Sequence, residues 1–404
     1  MKHSASALTG KTSDMPSLAK DDWKTGGFGL YIHWPFCESK CPYCDFNSHV
    51  ATSIDQRQWM DAYVSEIKRL GAETKGRVLQ TVFFGGGTPS LMNPDTVNGV
   101  LEAVRATWPM VNDPEITLEA NPSSIEADRF RGFRDAGINR VSMGMQAMND
   151  ADLRKLGRRH SAKEAIEAFD IARNCFNRVS FDLIYARQDQ SLTSWRQELE
   201  IALQLSIDHI SLYQLTIEDG TAFSDRLNKG GLKGLPQEDL AADMYDLTQE
   251  ACDKAGMPAY EVSNHAKPGS ESRHNLIYWR GGDYIGIGPG AHGRLTYNDQ
   301  KYATECPKSP ALWLKMVLDG RPGELKRALL SSEERGLEYL LMSLRLNEGM
   351  DLARHKTLSQ SKLDDTSINE LSDLGLLNHV ENRLIATAKG RVLLNAVIRK
   401  LAGA

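Results

Sequence analysis

Cys37-Glu-Ser-Lys-Cys41-Pro-Tyr-Cys44 follows directly on Gly29-Leu-Tyr-Ile-His-Trp34, an apolar run that reads as a β-strand. Three thiolates on one short loop can hold three irons of a cubane cluster and leave the fourth iron open to an exchangeable ligand. Four-cysteine ferredoxin spacings would instead ligate the cluster fully and suit it to carrying electrons. The alternative is structural zinc, normally closed by four Cys or His ligands; the fourth would then be His33, His49 or a distant residue.

Outward from this loop, strand-like runs alternate with helix-like ones. Strands are predicted at 30–34, 78–84, 115–120, 140–146, 178–185 and 209–216. Amphipathic helices are predicted at 56–70, 95–108, 125–136, 162–175, 195–205 and 240–255. Regular βα alternation implies a parallel sheet, and six units fall short of the eight that close a barrel. The fold class is therefore α/β, a partial (β/α)6 TIM-like barrel. The glycine-rich stretch Gly281-Gly-Asp-Tyr-Ile-Gly-Ile-Gly-Pro-Gly-Ala-His-Gly293 reads as a break in the alternation. A smaller helical region follows, with helices at 329–344, 366–373 and 389–401 and a hairpin at 376–385 around Glu381-Asn382. Helices with a small wing give a winged-helix-like C-terminal domain. The expected division is a flexible tail at 1–25, the barrel at 26–295 and the C-terminal domain at 296–404.

Composition fits an intracellular, redox-protected protein. The chain has 404 residues, 41% of them hydrophobic, enough for a sizeable core. Six cysteines are too sparse for a disulfide framework, so a reducing compartment and a cytoplasmic location are expected. No secretory signal and no membrane-spanning run is visible. A formal charge of -5 with interspersed signs, and no basic recognition helix, argue against nucleic acid as a partner. Cys175 and Cys252 fall on apolar helix faces, Cys306 falls in a loop, and none is given a ligand role.

In parallel barrels the reactive groups collect at the carboxyl ends of the strands. Here those ends carry the cysteine loop, Gly85-Gly-Gly-Thr-Pro-Ser90, Glu119-Ala-Asn-Pro122, Gln146, Asp182, and Tyr213-Gln214. One pocket can gather them. The cysteine spacing resembles the radical S-adenosylmethionine (SAM) signature at every cysteine position. SAM presents an ammonium, a carboxylate, a ribose diol, an adenine and a sulfonium. Consecutive glycines admit close backbone approach, Glu119 suits a ribose or amino group, Arg158 a carboxylate, and Asp182 a donor. Each residue also has an ordinary reading, the glycines as a tight turn and the acids as helix caps.

Tyr31-Ile-His-Trp-Pro-Phe-Cys37, Phe83-Phe-Gly-Gly-Gly-Thr-Pro-Ser90, Glu119-Ala-Asn-Pro122, Asn139-Arg-Val-Ser-Met-Gly-Met-Gln146 and His209-Ile-Ser-Leu-Tyr-Gln-Leu-Thr216 resemble the oxygen-independent coproporphyrinogen III oxidase family of radical SAM proteins, from about Gly27 onward. The resemblance implies a radical SAM (β/α)6 barrel. It implies a [4Fe-4S] cluster on Cys37, Cys41 and Cys44, and SAM contacts from Tyr31, Tyr43, Gly87, Thr88, Glu119, Gln146, Arg158 and Asp182.

Two branches of that family differ at residues visible here. The oxidase branch continues to a fourth cysteine two positions after the third, where this chain has Phe46. His274-Asn-Leu-Ile-Tyr-Trp279 is similar to an element of the haem chaperone branch. That resemblance implies haem as cargo, with His274 as its ligand and acceptor haemoproteins as partners, those of the respiratory chain being candidates. An imidazole can ligate haem iron while Tyr278 and Trp279 cover the ring, although a histidine beside aromatics is commonly a hydrogen-bonded core residue. His292 and His265 compete for the role, and no Cys-x-x-Cys-His occurs to attach haem covalently. The alternative function is oxidative decarboxylation of coproporphyrinogen III. Tyr185-Ala-Arg-Gln-Asp-Gln190 departs from the glycine- and proline-containing turn of similar proteins, so the loop after the fifth strand is expected to be reshaped.

Overall fold

The computed structural model describes residues 22–51, 53–123 and 129–403. The expected strands are present in chain order as β1 (Phe28–Trp34), β2 (Leu79–Gly86), β3 (Met110–Ala120), β4 (Arg140–Gln146), β5 (Arg178–Tyr185) and β6 (His209–Gln214), each parallel to the next. β1 is buried on both faces, which is why it reads as a continuous apolar run rather than an alternating one. The connecting helices carry their own start signals. Ser161 and Ser191 cap the helices Ala162–Cys175 and Leu192–Leu205, and each closes a reciprocal pair with the residue three positions on. Of the helix expected at 125–136, Phe130–Ala136 is described, and 124–128 lie outside the described residues.

The sheet is larger than six strands. β7 (Asn264–Ala266) adds antiparallel to β6, while β8 (Asp283–Ile287) lies parallel to β1 on its other side. β9 (His292–Tyr297), β10 (Gln300–Glu305) and β11 (Lys326–Leu329) continue antiparallel, giving an open 11-stranded sheet with β7 and β11 at its edges. The glycine-rich stretch is thus a strand and a turn, a correction to its reading as a break. Its glycines answer to packing: a side chain on Gly286 would collide with the His292 backbone, and Gly288, at φ 110°, leaves its side-chain position to the His33 carbonyl.

Residues 1–21 of the expected tail lie outside the described residues, but 22–25 are seated in the fold. Trp23 packs edge-on against Phe28 at 6.2 Å, and Arg77 lies 4.4 Å over its ring. Asp22 holds Arg354 through both carboxylate oxygens, at 2.8 and 2.9 Å. One apolar core runs from β1 through Trp313 and Val317; Trp313 stacks on Trp59 at 5.5 Å and 8°. A second core gathers Tyr339, Leu340, Met350, Leu384 and Val397. Around it stand the helices Ser332–Ser343, Leu352–Ser359 and Asp365–Asp373 and the three strands 350–351, 383–386 and 377–380. The expected hairpin is therefore present, and the expected last helix is two, Ala388–Val392 and Leu394–Leu401. No helix among the described residues is long and apolar enough to cross a membrane.

The loop after β5 wraps a buried cation. Arg187, 3% exposed, pairs with Glu198 at 2.6 Å and Asp152 at 2.8 Å, and donates to the Ile184 carbonyl. Ala186 and Asp189 take left-handed conformations, φ 56° and 61°, to turn the chain around it. Removing one partner of a buried pair strands the other charge, which costs about 3–5 kcal/mol. Arg187→Met should lower the unfolding free energy in urea by about that amount, and adding Glu198→Gln should recover part of it. Equal stabilities of the single and double variants would remove the ion pair as the cause.

Candidate functional site

The cysteine loop is closed at its base. Phe36–Cys37 pairs with His49–Val50, and the His49 amide donates to the Pro35 carbonyl at 2.7 Å. Its middle is held by the Phe223 amide, 2.8 Å from the Pro42 carbonyl. The end of β2 grips its start: the Gly87 amide donates to the Trp34 carbonyl at 2.7 Å and the Thr88 amide to the Phe36 carbonyl at 2.8 Å. A side chain on Gly87 would stand 2.6 Å from that Phe36 carbonyl. Gly87 therefore packs the loop itself, and a bulky substitution there disturbs the loop before it disturbs any ligand.

Cys37, Cys41 and Cys44, all partly exposed, line one cavity of about 340 Å³. Tyr43, Gly87, Thr88, Glu119, Gln146, Arg158 and Asp182 line the same cavity. The sulfurs have donors. Thr88 Oγ1 lies 3.4 Å from Cys37 Sγ, and Arg158 Nη1 lies 3.4 Å from Cys41 Sγ. Burial pushes the Cys37 and Cys44 thiols up, so deprotonating them takes a metal's charge. The three sulfurs share one cavity. That arrangement, with an arginine beside one sulfur, fits a polynuclear cluster of negative charge.

Residues that sequence reasoning passed over complete this wall. Arg158 Nη2 donates to Asn121 Oδ1 and to the Gly144 carbonyl, each at 2.8 Å, and Asn121 donates to Thr88 Oγ1 at 3.2 Å. The visible signal was position, since Asn121 and Gly144 stand at or near the carboxyl ends of β3 and β4. Gln146, at φ 72°, turns out of β4 where its pairing with β5 shifts register.

The carboxylates are electrostatically unsatisfied. Burial, and then the charge of Asp182, raises the Glu119 carboxyl to about 8, against a 3.1 Å hydrogen bond from the Gly86 amide. Burial raises Asp182 to about 6, opposed by Ser211, Arg140 and Ser142. Two carboxyls kept partly neutral on one cavity wall favour a cationic ligand.

Tyr31 and His274 are placed elsewhere. Tyr31 lines a second cavity of about 460 Å³, which also holds Tyr278, Trp279, His292 and Arg335. Gly86, Glu119 and Phe46 line both cavities. His274, 1% exposed, shares a hydrogen bond of 2.7 Å between Nδ1 and Thr81 Oγ1 and one of 2.6 Å between Nε2 and the Tyr278 hydroxyl. It stacks on Phe83 at 5.0 Å, and burial lowers it to about 3. His265 is buried on β7, outside the lining of both cavities.

Residues 31–196 match the Radical SAM superfamily and residues 330–393 the HemN C-terminal domain. Radical S-adenosyl methionine domain-containing protein 1, mitochondrial, of Bos taurus is 37% identical over 92% of this chain and 86% of its own length. Heme chaperone HemW of Escherichia coli is 36% identical over 91% of this chain and 96% of its own. The Mycobacterium tuberculosis HemW is 34% identical over 93% and 95%. The chain belongs to the HemW family of radical SAM proteins. Its fold is also that of the E. coli coproporphyrinogen III oxidase HemN, with a TM-score of 0.78, 22% identity, and coverage of 93% of this chain and 90% of that one. Superfamily membership implies SAM and a [4Fe-4S] cluster.

Two outcomes follow for the first cavity. Cys37→Ser, Cys41→Ser or Cys44→Ser should each remove most of the iron and visible charge-transfer absorption from anaerobically reconstituted protein, and Cys175→Ser should not. Recovery of zinc without labile sulfide would sink the cluster. SAM affinity should rise with pH across about 6 to 8, because a cationic ligand binds best once Asp182 and Glu119 are charged. The slope can reach about tenfold per pH unit for one coupled proton. Without ligand the linkage runs the other way: the raised carboxyls contribute stability below their unfolded values that is lost as pH rises through 6 and 8. Calorimetry in buffers of different ionisation enthalpy checks the proton release, which Glu119→Gln should reduce.

Proposed function

We propose that the protein binds haem as cargo and hands it to acceptor haemoproteins, while carrying a [4Fe-4S] cluster on Cys37, Cys41 and Cys44 with exchangeable SAM. The observation that carries this reading is Phe46, a 58% exposed aromatic lining both cavities where the oxidase branch has its fourth cysteine. An apolar ring can cover the face of a macrocycle. The relatives named Heme chaperone HemW, matched over nearly the whole chain, support the same reading.

In this reading Tyr43, Gly87, Thr88, Glu119, Gln146, Arg158 and Asp182 surround SAM. Glu119 and Asp182 face its cationic groups, and Arg158 offsets the charge of the thiolates. When bound, the cluster supplies an exchangeable iron site for SAM. Tyr31 acts at one remove, its hydroxyl 3.0 Å from His33 Nδ1 behind the wall shared by the two cavities. The free thiols fit a reducing, cytoplasmic setting.

Reconstituted protein given coproporphyrinogen III, SAM and a strong reductant should form no protoporphyrinogen IX, yet should take up haem saturably and release it to an apo-haemoprotein. Robust protoporphyrinogen IX formation would replace the chaperone reading with the oxidase.

A further inference from the structure

The second cavity contains groups that nothing above uses. Tyr278, Tyr284 and Tyr339 form an aromatic wall, with Tyr278 and Tyr284 meeting edge to face at 4.5 Å, and Met342 and Leu358 extend it. A volume of about 460 Å³ lies within the usual small-molecule range. Such a lining receives a flat apolar ring.

Its polar groups are unevenly paired. Arg294 is neutralised by Glu338 at 2.6 Å, and Lys301 Nζ donates to the Gly281 and Gly282 carbonyls at 2.8 and 3.1 Å. Arg335 differs. It is 7% exposed, makes one long hydrogen bond of 3.4 Å to the Ser331 carbonyl, and meets no carboxylate within 4 Å among the described residues. The carboxylate that acts on it, Asp22, lies beyond 4 Å and is paired with Arg354, so a ligand carboxylate would be its direct partner. The Trp279 indole N–H, on the same lining, is also buried without a partner.

Three histidines stand in or beside this cavity. His33 spends its ring nitrogens on Tyr31 at 3.0 Å and on the Asn47 carbonyl at 2.9 Å. Both nitrogens of His274 are spent on Thr81 and Tyr278. The ring of His292 is exposed, lines the cavity, and makes no hydrogen bond among the described residues.

We propose that haem seats in this cavity with His292 as its iron ligand and Arg335 paired to one propionate, while His274 holds Tyr278 in the aromatic wall. The proposal rests on the haem reading above and assigns its site. Imidazole is an ordinary axial ligand of haem iron, and a guanidinium matches a carboxylate through two parallel hydrogen bonds.

The test uses full-length reconstituted protein titrated with haem and followed by the Soret band. His292→Ala should shift the band and weaken binding at least tenfold, with iron content and SAM binding unchanged, and added imidazole should restore the band position. Arg335→Gln should leave the band in place but weaken haem binding about tenfold and abolish the preference for haem over its dimethyl ester. If His292→Ala keeps the wild-type spectrum and affinity while a folded His274→Gln loses them, the ligand is His274 and the proposal is overturned. Wild-type protein that shows no saturable Soret change would overturn the haem reading itself, a distinct result from normal binding that neither variant alters.

Discussion

Two backbone hydrogen bonds carry the first cavity: Gly87 to the Trp34 carbonyl at 2.7 Å and Thr88 to the Phe36 carbonyl at 2.8 Å. They extend the β1–β2 pairing past the last regular strand residues, and so aim the cysteine loop over the carboxyl ends of β2 to β5. The close approach requires glycine at two positions. A side chain on Gly86 would meet the His33 ring at 2.6 Å, and one on Gly87 the Phe36 carbonyl at 2.6 Å. With the loop held there, Thr88 reaches Cys37, and Arg158 reaches Cys41 while anchored to β4 through the Gly144 carbonyl. The sulfurs are therefore positioned by the sheet, and the donors around them are already oriented before any iron binds.

The two cavities share a wall but differ in the charged groups that face each one alone. Asp182 lines only the first and Arg335 only the second, while Glu119 lines both. On the proposed reading Asp182 favours the sulfonium cofactor in the first cavity, and Arg335 favours a carboxylate of the cargo in the second.

Much of this was legible in the sequence where the physics is local. The six parallel strands alternate with amphipathic helices at a period that any buried parallel sheet requires, and all six are found. β8 was not legible, because Asp283-Tyr-Ile-Gly-Ile287 has glycine where its neighbour's backbone intrudes, and that intrusion is a tertiary fact. The same holds for Arg187, a polar residue in a turn by composition and a buried ion-pair centre by packing. At the site, Tyr213 and Gln214 at the end of β6 line neither cavity, while the residues at the ends of β1 to β5 converge on one cavity. Tyr31 and His274 do not join them, since strand alternation and helix packing turn both toward the other cavity and the core. No spacing rule distinguishes a histidine that faces a ligand from one that props a tyrosine.

Phe46 and Asn47 join the two halves of the molecule through the segment that follows the cysteines. Phe46 presents an exposed ring to both cavities, and covering a phenylalanine side chain is worth about 1.5–3 kcal/mol. Asn47 turns the other way: its side-chain amide donates to the Pro289 and Lys308 carbonyls, each at 2.9 Å, and its own carbonyl meets His33 Nε2. Pro289 lies in the turn that leads to His292, and Gly290, at φ 77°, leaves the Asn47 amide the space a side chain would take. The chain that carries the third cysteine is thus bonded directly to the turn that presents His292. A displacement of that segment cannot reach one cavity without moving a wall of the other, because the Asn47 hydrogen bonds and the Phe46 ring belong to adjacent residues of the same short stretch.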